Sequence, residues 1–204
     1  MIRFIVILPA VCVLSARGYA DVQTFENDYE GFAEVAGPLS VIDFETDPNG
    51  DPPQTGDELT ETFNYDEQGI HFSAGYPYPP WPYPMFSSVG PYDLTVMAPT
   101  FGHTWIIGEF TVPALAIGGF FGGDTTLCAF DEVGTEIACV TYGSGENGNF
   151  VGIVSPDPIH AFTFDDGDWV ETIHSVEFSP VPEPGTLLLM GAGAALLLRW
   201  RGRS

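Results

Sequence analysis

Short apolar runs separated by turn-forming residues fill the middle of this sequence, from residue 21 to residue 180. Several runs place apolar residues at every second position, as Ile70 and Phe72 do, and Val176 and Phe178. A period of two is typical of a strand with one buried face. The segments between the runs are rich in Gly, Pro, Asn and Asp, which favour turns. The pattern restricts this part of the chain to many short strands and predicts no long helix within it.

These runs predict the strands of the fold. They span residues 40–45, 61–64, 69–74, 94–98, 104–112, 114–121, 125–131, 135–142, 149–155, 159–164 and 173–179. Many short strands joined by tight turns favour an all-β fold, and we expect an antiparallel β-sandwich of the jelly-roll type. Roughly 160 residues suffice for one domain with its own core. Residues 21–180 are therefore predicted to form one acidic β-sandwich domain, with no structure assigned to residues 21–38.

The charge of this predicted domain has a single sign. The chain has 28 acidic residues, and only Glu183 lies outside residues 21–180, so 27 lie within them. The five basic residues are arginines at positions 3, 17, 199, 201 and 203. Nucleic-acid binding requires a basic surface, so this composition excludes a nucleic-acid partner. The carboxylates must instead be solvated, hydrogen bonded or matched by metal ions.

Residues 1–20 predict a secretory signal peptide with a helical apolar centre. Arg3 supplies the positive start, residues 4–14 form the apolar run, and Gly18 and Ala20 place small residues before a cut at Asp21. A retained N-terminal anchor is the alternative, but the run is short for a membrane span. We therefore expect an exported protein.

Residues 181–204 combine three features in a fixed order. The tripeptide Pro182-Glu183-Pro184 comes first, and its prolines hold the backbone extended. Residues 185–198 carry no charge and predict a transmembrane helix. At 1.5 Å per residue this helix is about 20 Å long, which is short for a hydrocarbon core of about 30 Å. The basic end, residues 199–204, contains Arg199, Trp200, Arg201 and Arg203 and is expected on the cytoplasmic side. An apolar helix packed in a soluble core is the alternative.

This order of tripeptide, apolar helix and arginine-rich end resembles the PEP-CTERM sorting signal of Gram-negative bacteria. In that family an exosortase, a membrane cysteine protease or transpeptidase, reads the signal, and its bearers are associated with exopolysaccharide production. The resemblance implies that Pro182, Glu183 and Pro184 are the recognition motif and that the C-terminal anchor is transient. It also implies export through the inner membrane to the cell surface or the extracellular matrix, with the export machinery and an exosortase as partners.

Cys128 and Cys139 flank a turn and predict a disulfide. With Val133-Gly134 as a two-residue hairpin loop, the two cysteines lie opposite each other on paired strands. Exported proteins meet an oxidising compartment, which favours the bond. Two buried thiols on one sheet face are the alternative.

Two acidic turns offer oxygen ligands of the kind that calcium prefers. Their residues are Asp47, Asn49 and Asp51 in the first turn and Asp165, Asp166 and Asp168 in the second. Solvated turn carboxylates without an ion are the alternative, so the sequence permits calcium as a cofactor and does not require any.

An aromatic segment between residues 75 and 84 offers rings for a polysaccharide. Its aromatic residues are Tyr76, Tyr78, Trp81 and Tyr83, and prolines separate them. Rings on a stiff, polyproline-like loop can present flat faces to sugars. The alternative is that the rings pack back against the domain.

The sequence contains no G-x-S-x-G or H-E-x-x-H motif. We therefore expect a non-enzymatic exported protein with a structural or adhesive role. A carbohydrate-binding module, with or without calcium, is the alternative. A polysaccharide hydrolase is a third interpretation, which would need a catalytic pair of carboxylates.

Overall fold

A computed structural model describes residues 21–46, 65–75, 85–89, 95–99, 105–165 and 173–181. In chain order these residues form β1 (Gln23–Glu26), α1 (Tyr29–Ala36), β2 (Ser40–Ile42), a 3₁₀ turn (Asp66–Gln68), β3 (Ile70–Gly75), β4 (Met85–Val89), β5 (Thr95–Pro99), β6 (Trp105–Phe130), β7 (Glu136–Asp165) and β8 (Ile173–Pro180). The pairs that these strands form are antiparallel. The predicted all-β, antiparallel fold is confirmed at this level.

Two long strands, β6 and β7, each join three of the predicted runs. Residues 106–109 of β6 pair with residues 161–164 of β7, and residues 114–121 pair with residues 149–159. The last part of β6, residues 124–130, pairs with residues 136–143 at the start of β7.

The register shifts occur where the sequence weakens a regular ladder. One shift lies between Glu109 and Ala114, a stretch that contains Pro113, which has no N–H to donate. Another lies at Gly122 and Asp124, on either side of Gly123, which adopts a φ of +86°. β6 therefore bends at these points instead of ending.

The bends divide the paired strands into two groups, which we call the front sheet and the back sheet. The front sheet contains β3, both ends of β6 and both ends of β7. The back sheet contains β1, the middle parts of β7 and β6, and β8, with β2 and β5 paired to the other edge of β8. β4 pairs with β5.

The main core lies between the inward faces of the two sheets. Phe110 of β6 packs against Phe178 of β8, with 5.4 Å between their ring centroids. Gly119 of the back sheet lies against the ring of Phe164 from the front sheet. Other buried members of this cluster include Phe72, Leu127 and Phe162 from the front sheet and Ile117, Val151 and Val176 from the back sheet. The strands belong to one hydrogen-bonded sheet whose two parts pack face to face, and its assignment as an antiparallel β-sandwich of the jelly-roll type stays a prediction.

A short helix, α1, covers the outer face of the back sheet. The Asp28 side chain caps it by accepting a hydrogen bond from the Gly31 N–H at 2.9 Å. Gly37 follows its last turn with a φ of +79°. Phe32 is fully buried in a second cluster with Ala116, Phe150 and Val154. The sequence analysis assigned no structure to β1 or α1 because two turns of helix give too few residues for a periodic signal, and it also missed β4.

Several predicted elements lie outside the described residues. They are the signal peptide at residues 1–20, the strand at residues 61–64 and the C-terminal helix at residues 185–198. Within the described part of the chain, no helix has the length and apolar character needed to cross a membrane.

Candidate functional site

The described part of the chain ends at Val181, directly after β8. We call this end of β8 the sorting junction. β8 pairs with β6 along one edge and with β2 and β5 along the other. Beyond Pro180, the Val181 N–H donates to the Pro113 carbonyl at 2.8 Å. Residue 182 is a proline, and because it has no N–H it cannot donate a further bond to this ladder. Val181 therefore supplies the last described backbone N–H of this ladder, immediately before the Pro-Glu-Pro tripeptide.

The position of the junction separates the sheet from the predicted processing site. β8 buries Ile173, Val176 and Phe178 in the main core, so its removal would open that core. A chain cut at or after Pro182 would keep every described contact of β8. Cleavage there would therefore leave the described sheet and its core intact.

Two of the other candidate segments start at one end of the front sheet. Gly75, the last residue of β3, pairs with Trp105, the first residue of β6. Asp165, the last residue of β7, pairs with Thr126 at the same end, because Ile106 pairs with Phe164. The aromatic segment follows Gly75 directly, and the second acidic turn begins with Asp165. The register therefore brings the starting points of these two candidate sites to the same end of one sheet.

Most of the residues predicted for the metal, glycan and sorting sites lie outside the described part of the chain. These are Asp47, Asn49, Asp51, Tyr76, Tyr78, Trp81, Tyr83, Asp166, Asp168, Pro182, Glu183, Pro184, Arg199, Trp200, Arg201 and Arg203. Asp165 is described and half-buried, and its backbone carbonyl accepts a hydrogen bond from the Thr125 hydroxyl at 3.4 Å. Calcium binding and polysaccharide binding stay predictions.

The predicted disulfide between Cys128 and Cys139 is present. The two cysteines are direct partners in the β6–β7 ladder, which is the predicted register. The turn that produces this register is different from the prediction. Asp131 pairs with Thr135 across a three-residue loop, and Gly134 adopts a φ of +79°. A three-residue hairpin loop usually has this form, a turn followed by a residue in the left-handed region.

One extra residue restores the predicted register beyond the turn. Phe130 pairs with Glu136 and Ala129 pairs with Ala138, so Ile137 is a bulge in β7. The loop is one residue longer than predicted, and the bulge compensates for it before the chain reaches Cys139. The predicted cysteine pairing is therefore correct, although the predicted two-residue turn is wrong.

The disulfide also determines whether the two cysteines and a neighbouring glutamate can bind a metal ion. Cys128, Glu136 and Cys139 have potential metal-ligand atoms within 4.8 Å of one another. Both sulfur atoms belong to the disulfide, and only a thiolate is a good metal ligand. In the oxidised protein this group does not offer a metal centre.

A buried carboxyl group on β8 is a feature that the sequence analysis missed. Glu177 is 3% exposed, and the Ser175 hydroxyl donates to its Oε1 at 2.8 Å. No described residue provides a partner for the buried Oε2. Burial raises the pKa of Glu177 to about 7, against the weaker opposing effect of the Ser175 hydrogen bond. The alternation of Ser175, Val176, Glu177 and Phe178 predicts that Ser175 and Glu177 face outward. Nothing in the local sequence predicts that other elements cover this outer face.

His174, which precedes this pair, is also partly withdrawn from water. Its Nδ1 is buried without a partner among the described residues. Burial lowers the pKa of His174. The register shift between Phe120 and Phe121 places His174 at an irregularity in the β6–β8 ladder. β8, the strand before the sorting junction, therefore carries two titratable groups whose pKa values are shifted by burial.

Comparison with known families finds one motif at the end of the chain. Residues 180–204 match the model of the PEP-CTERM protein-sorting motif. No curated protein matches the sequence. The match begins at Pro180, the last residue of β8, and includes the tripeptide at residues 182–184. The chain therefore carries a PEP-CTERM protein-sorting motif, as the resemblance predicted, and this motif indicates an exported protein that an exosortase sorts.

Proposed function

We propose that this protein is a non-enzymatic component of the cell surface or the exopolysaccharide matrix, with a structural or adhesive role. The observation that carries the proposal is the PEP-CTERM motif at residues 180–204, which begins where the last strand of the domain ends. Sorting requires the motif to be accessible, and a stably folded domain must survive the removal of its tail. The junction after Val181 suits both requirements.

The composition supports a place outside the cell. The 27 acidic residues between positions 21 and 180 are unopposed by lysine or arginine. A large net charge of one sign favours solubility and discourages close self-association. The Cys128–Cys139 disulfide is a bond that oxidising compartments maintain. Under this proposal, cations in the medium or matrix relieve the repulsion between the carboxylates.

Intact-mass analysis of the exported protein tests the sorting part of the proposal. The wild-type protein should lack the residues beyond about Pro182, and a variant with Pro182→Ala and Glu183→Ala should keep them. A Val133→Ala variant, altered at an exposed hairpin position, is the matched control and should be processed normally. A mature wild-type product that still carries Arg199 and Ser204 would contradict the proposal.

A carbohydrate-binding module is the second candidate. The pairing of Gly75 with Trp105 favours this candidate, because the aromatic segment then begins beside a further aromatic residue. Binding of a neutral polysaccharide should fall at least about fivefold in Trp81→Ala and Trp105→Ala variants, since stacking on one ring contributes about 1–3 kcal/mol in comparable base–aromatic contacts. Tyr29→Ala is the control, because Tyr29 is an exposed aromatic residue at the start of α1, on the back sheet. Equal binding by all these proteins would remove this candidate.

Calcium belongs to the same second candidate. The melting temperature should rise on addition of calcium and fall again with a chelator if either acidic turn holds the ion. An unchanged melting temperature at low ionic strength would show that neither acidic turn binds calcium.

A further inference from the structure

Glu177 lies on the outer face of the back sheet, beside the residues that α1 covers. In the ladder it pairs with Gly118 of β6 on one side and with Val41 of β2 on the other. Phe32 of α1 and Phe150 of β7 lie over Gly118. The carboxyl group is therefore enclosed between an aromatic cluster and a short neighbouring strand.

Among the described residues around Glu177 there is no lysine or arginine, and burial lowers the pKa of the neighbouring His174, which favours its neutral form. The β6 residues at and beside its register position are Ala116, Gly118 and Phe120, none of which titrates. On its own strand the neighbouring groups are the Ser175 hydroxyl and His174.

The other described elements beside this face, β2 and α1, add carboxylates and no cationic side chain. β2 is followed by the exposed Asp43, and α1 carries Glu30 and Glu34, which are both exposed. Residues 21–180 contain no lysine or arginine. An ionised Glu177 would thus be an unpaired charge in a low-dielectric site, whereas a protonated carboxyl is tolerated.

β2 is the shortest element beside this carboxyl, and of its residues Ile42 is buried in the main core. β2 has three residues, and within the described chain it pairs with β8 alone. Val41, the partner of Glu177, is 56% exposed. β6, on the other side, is 26 residues long and pairs with β7 and β3 as well. If water must reach an ionised Glu177, lifting β2 breaks far fewer contacts than displacing β6.

We propose that Glu177 is a proton-operated latch, whose neutral carboxyl keeps β2 paired with β8 and whose ionisation releases β2. The protonated group fits the enclosed site because it carries no charge, and its Oε1 accepts the Ser175 hydrogen bond. Loss of the proton makes solvation of the carboxylate favourable, and the short strand opposite it opens. Release of β2 exposes the edge of β8 at residues 176–178, in the strand that leads to the sorting junction. The latch thus couples pH to the accessibility of this edge.

Hydrogen exchange on the full chain, corrected for the intrinsic rate at each pH, tests the latch. The pKa of Glu177 is about 7 when β2 is closed, and an exposed glutamate has its ordinary value near 4.5. The closed form therefore binds more protons than the open form in this interval. The opening equilibrium should rise about tenfold for each pH unit between pH 5 and 7 and should level off above that range. We expect protection of residues 40–42 to fall accordingly.

Two controls make the result specific. Glu177→Gln cannot ionise, so protection of residues 40–42 should be independent of pH in that variant. Residues 127–129, which pair with both 138–140 and 162–164, are an internal reference that should stay protected in both proteins. Loss of protection in both segments together, or an equal pH dependence in Glu177→Gln, would overturn the latch.

A second measurement applies if Glu177→Gln does not fold. The carboxyl carbon of Glu177 in the wild-type protein can be followed by NMR as the pH is changed. A midpoint close to 7 together with selective loss of protection at residues 40–42 supports the latch. A midpoint near the ordinary glutamate value would overturn it.

Discussion

Gly118 and Gly152 face each other in register on β6 and β7 and together form the surface on which α1 docks. A Cβ atom built on Gly152 would lie 2.6 Å from the Phe32 ring, and one on Gly118 would lie 3.1 Å from it. The next residue across the sheet, Phe25, packs edge-on against Phe32 with 5.8 Å between ring centroids. The missing side chains of two glycines allow one phenylalanine to reach the backbone of the sheet.

We predict that Gly152→Ala destabilises the domain by about 1–3 kcal/mol, because the added methyl group overpacks a site without free volume. The new Cβ would also lie 3.0 Å from the Phe150 ring, so both rings would have to shift to make room for it. The smaller entropy of the unfolded alanine chain offsets only about 0.4–1 kcal/mol of this cost. Urea unfolding of the two proteins measures the difference.

Val133→Ala is the control for this substitution, since Val133 is 84% exposed at the tip of the hairpin. Its free energy of unfolding should stay within about 0.5 kcal/mol of the wild-type value. A Gly152→Ala protein as stable as this control would show that α1 adjusts its position on the sheet without cost.

The disulfide gives a second prediction. The Cys128→Ser, Cys139→Ser double variant should lose about 3 kcal/mol, since the bond closes a loop with a sequence separation of 11 residues and restricts the unfolded chain. The comparison is made by urea unfolding without reductant. Reduced wild-type protein should unfold at a similar urea concentration. A double variant that matches the oxidised protein would mean that the hairpin persists in the unfolded state.

The turn next to the disulfide gives a third prediction. Gly134 adopts a φ of +79°, in the left-handed region that alanine avoids, and its added Cβ would meet no atom within 4 Å. Gly134→Ala should therefore cost about 1 kcal/mol through backbone strain alone. Gly134→Asn should cost less, because asparagine tolerates this region better. Equal stability of the two variants in urea would mean that the turn changes type.

The cysteine hairpin shows how much a sequence of this kind predicts. Turn residues between Cys128 and Cys139 and the period of the flanking runs were enough to place the two cysteines opposite each other. The bulge at Ile137 was not predictable, since nothing in the local sequence distinguishes a two-residue loop from a three-residue loop followed by a bulge. Local chemistry predicted the pairing, and the details of the loop depend on packing along β7.

Glu177 shows what local patterns do not contain. Alternation correctly places Val176 and Phe178 toward the main core, and Glu177 on the opposite face. The outer face of most two-layer β proteins is solvated, so an acidic residue there is expected to be exposed. Whether it is buried depends on α1 and β2, which lie more than 100 residues earlier in the sequence. The same long-range packing joins the predicted runs into β6 and β7. For the sorting site the situation is reversed, because its tripeptide, apolar run and basic end are contiguous in the sequence.

His174 gives the last prediction, and its sign is opposite to that of Glu177. Burial lowers the pKa of His174 below its ordinary value of 6.5, so the unfolded chain binds more protons than the folded protein just below that pH. The stability associated with neutral His174 is fully present above pH 6.5 and is lost as the pH falls through its folded pKa. We therefore expect His174→Gln to lose less stability than the wild-type protein between pH 7 and 5.

Thermal unfolding at several pH values in this range measures the effect of His174. The comparison is best made in the Glu177→Gln background, because Glu177 lies three residues away and its contribution changes over the same range with the opposite sign. His71, which pairs with Asp66 at 2.9 Å on the exposed surface, and His160 are retained in both proteins and cancel in the difference. The difference in melting temperature between the two proteins should move in favour of His174→Gln as the pH falls. Parallel curves would show that His174 gains a proton in the folded protein as readily as in the unfolded chain, which would require its buried Nδ1 to reach water without loss of the fold.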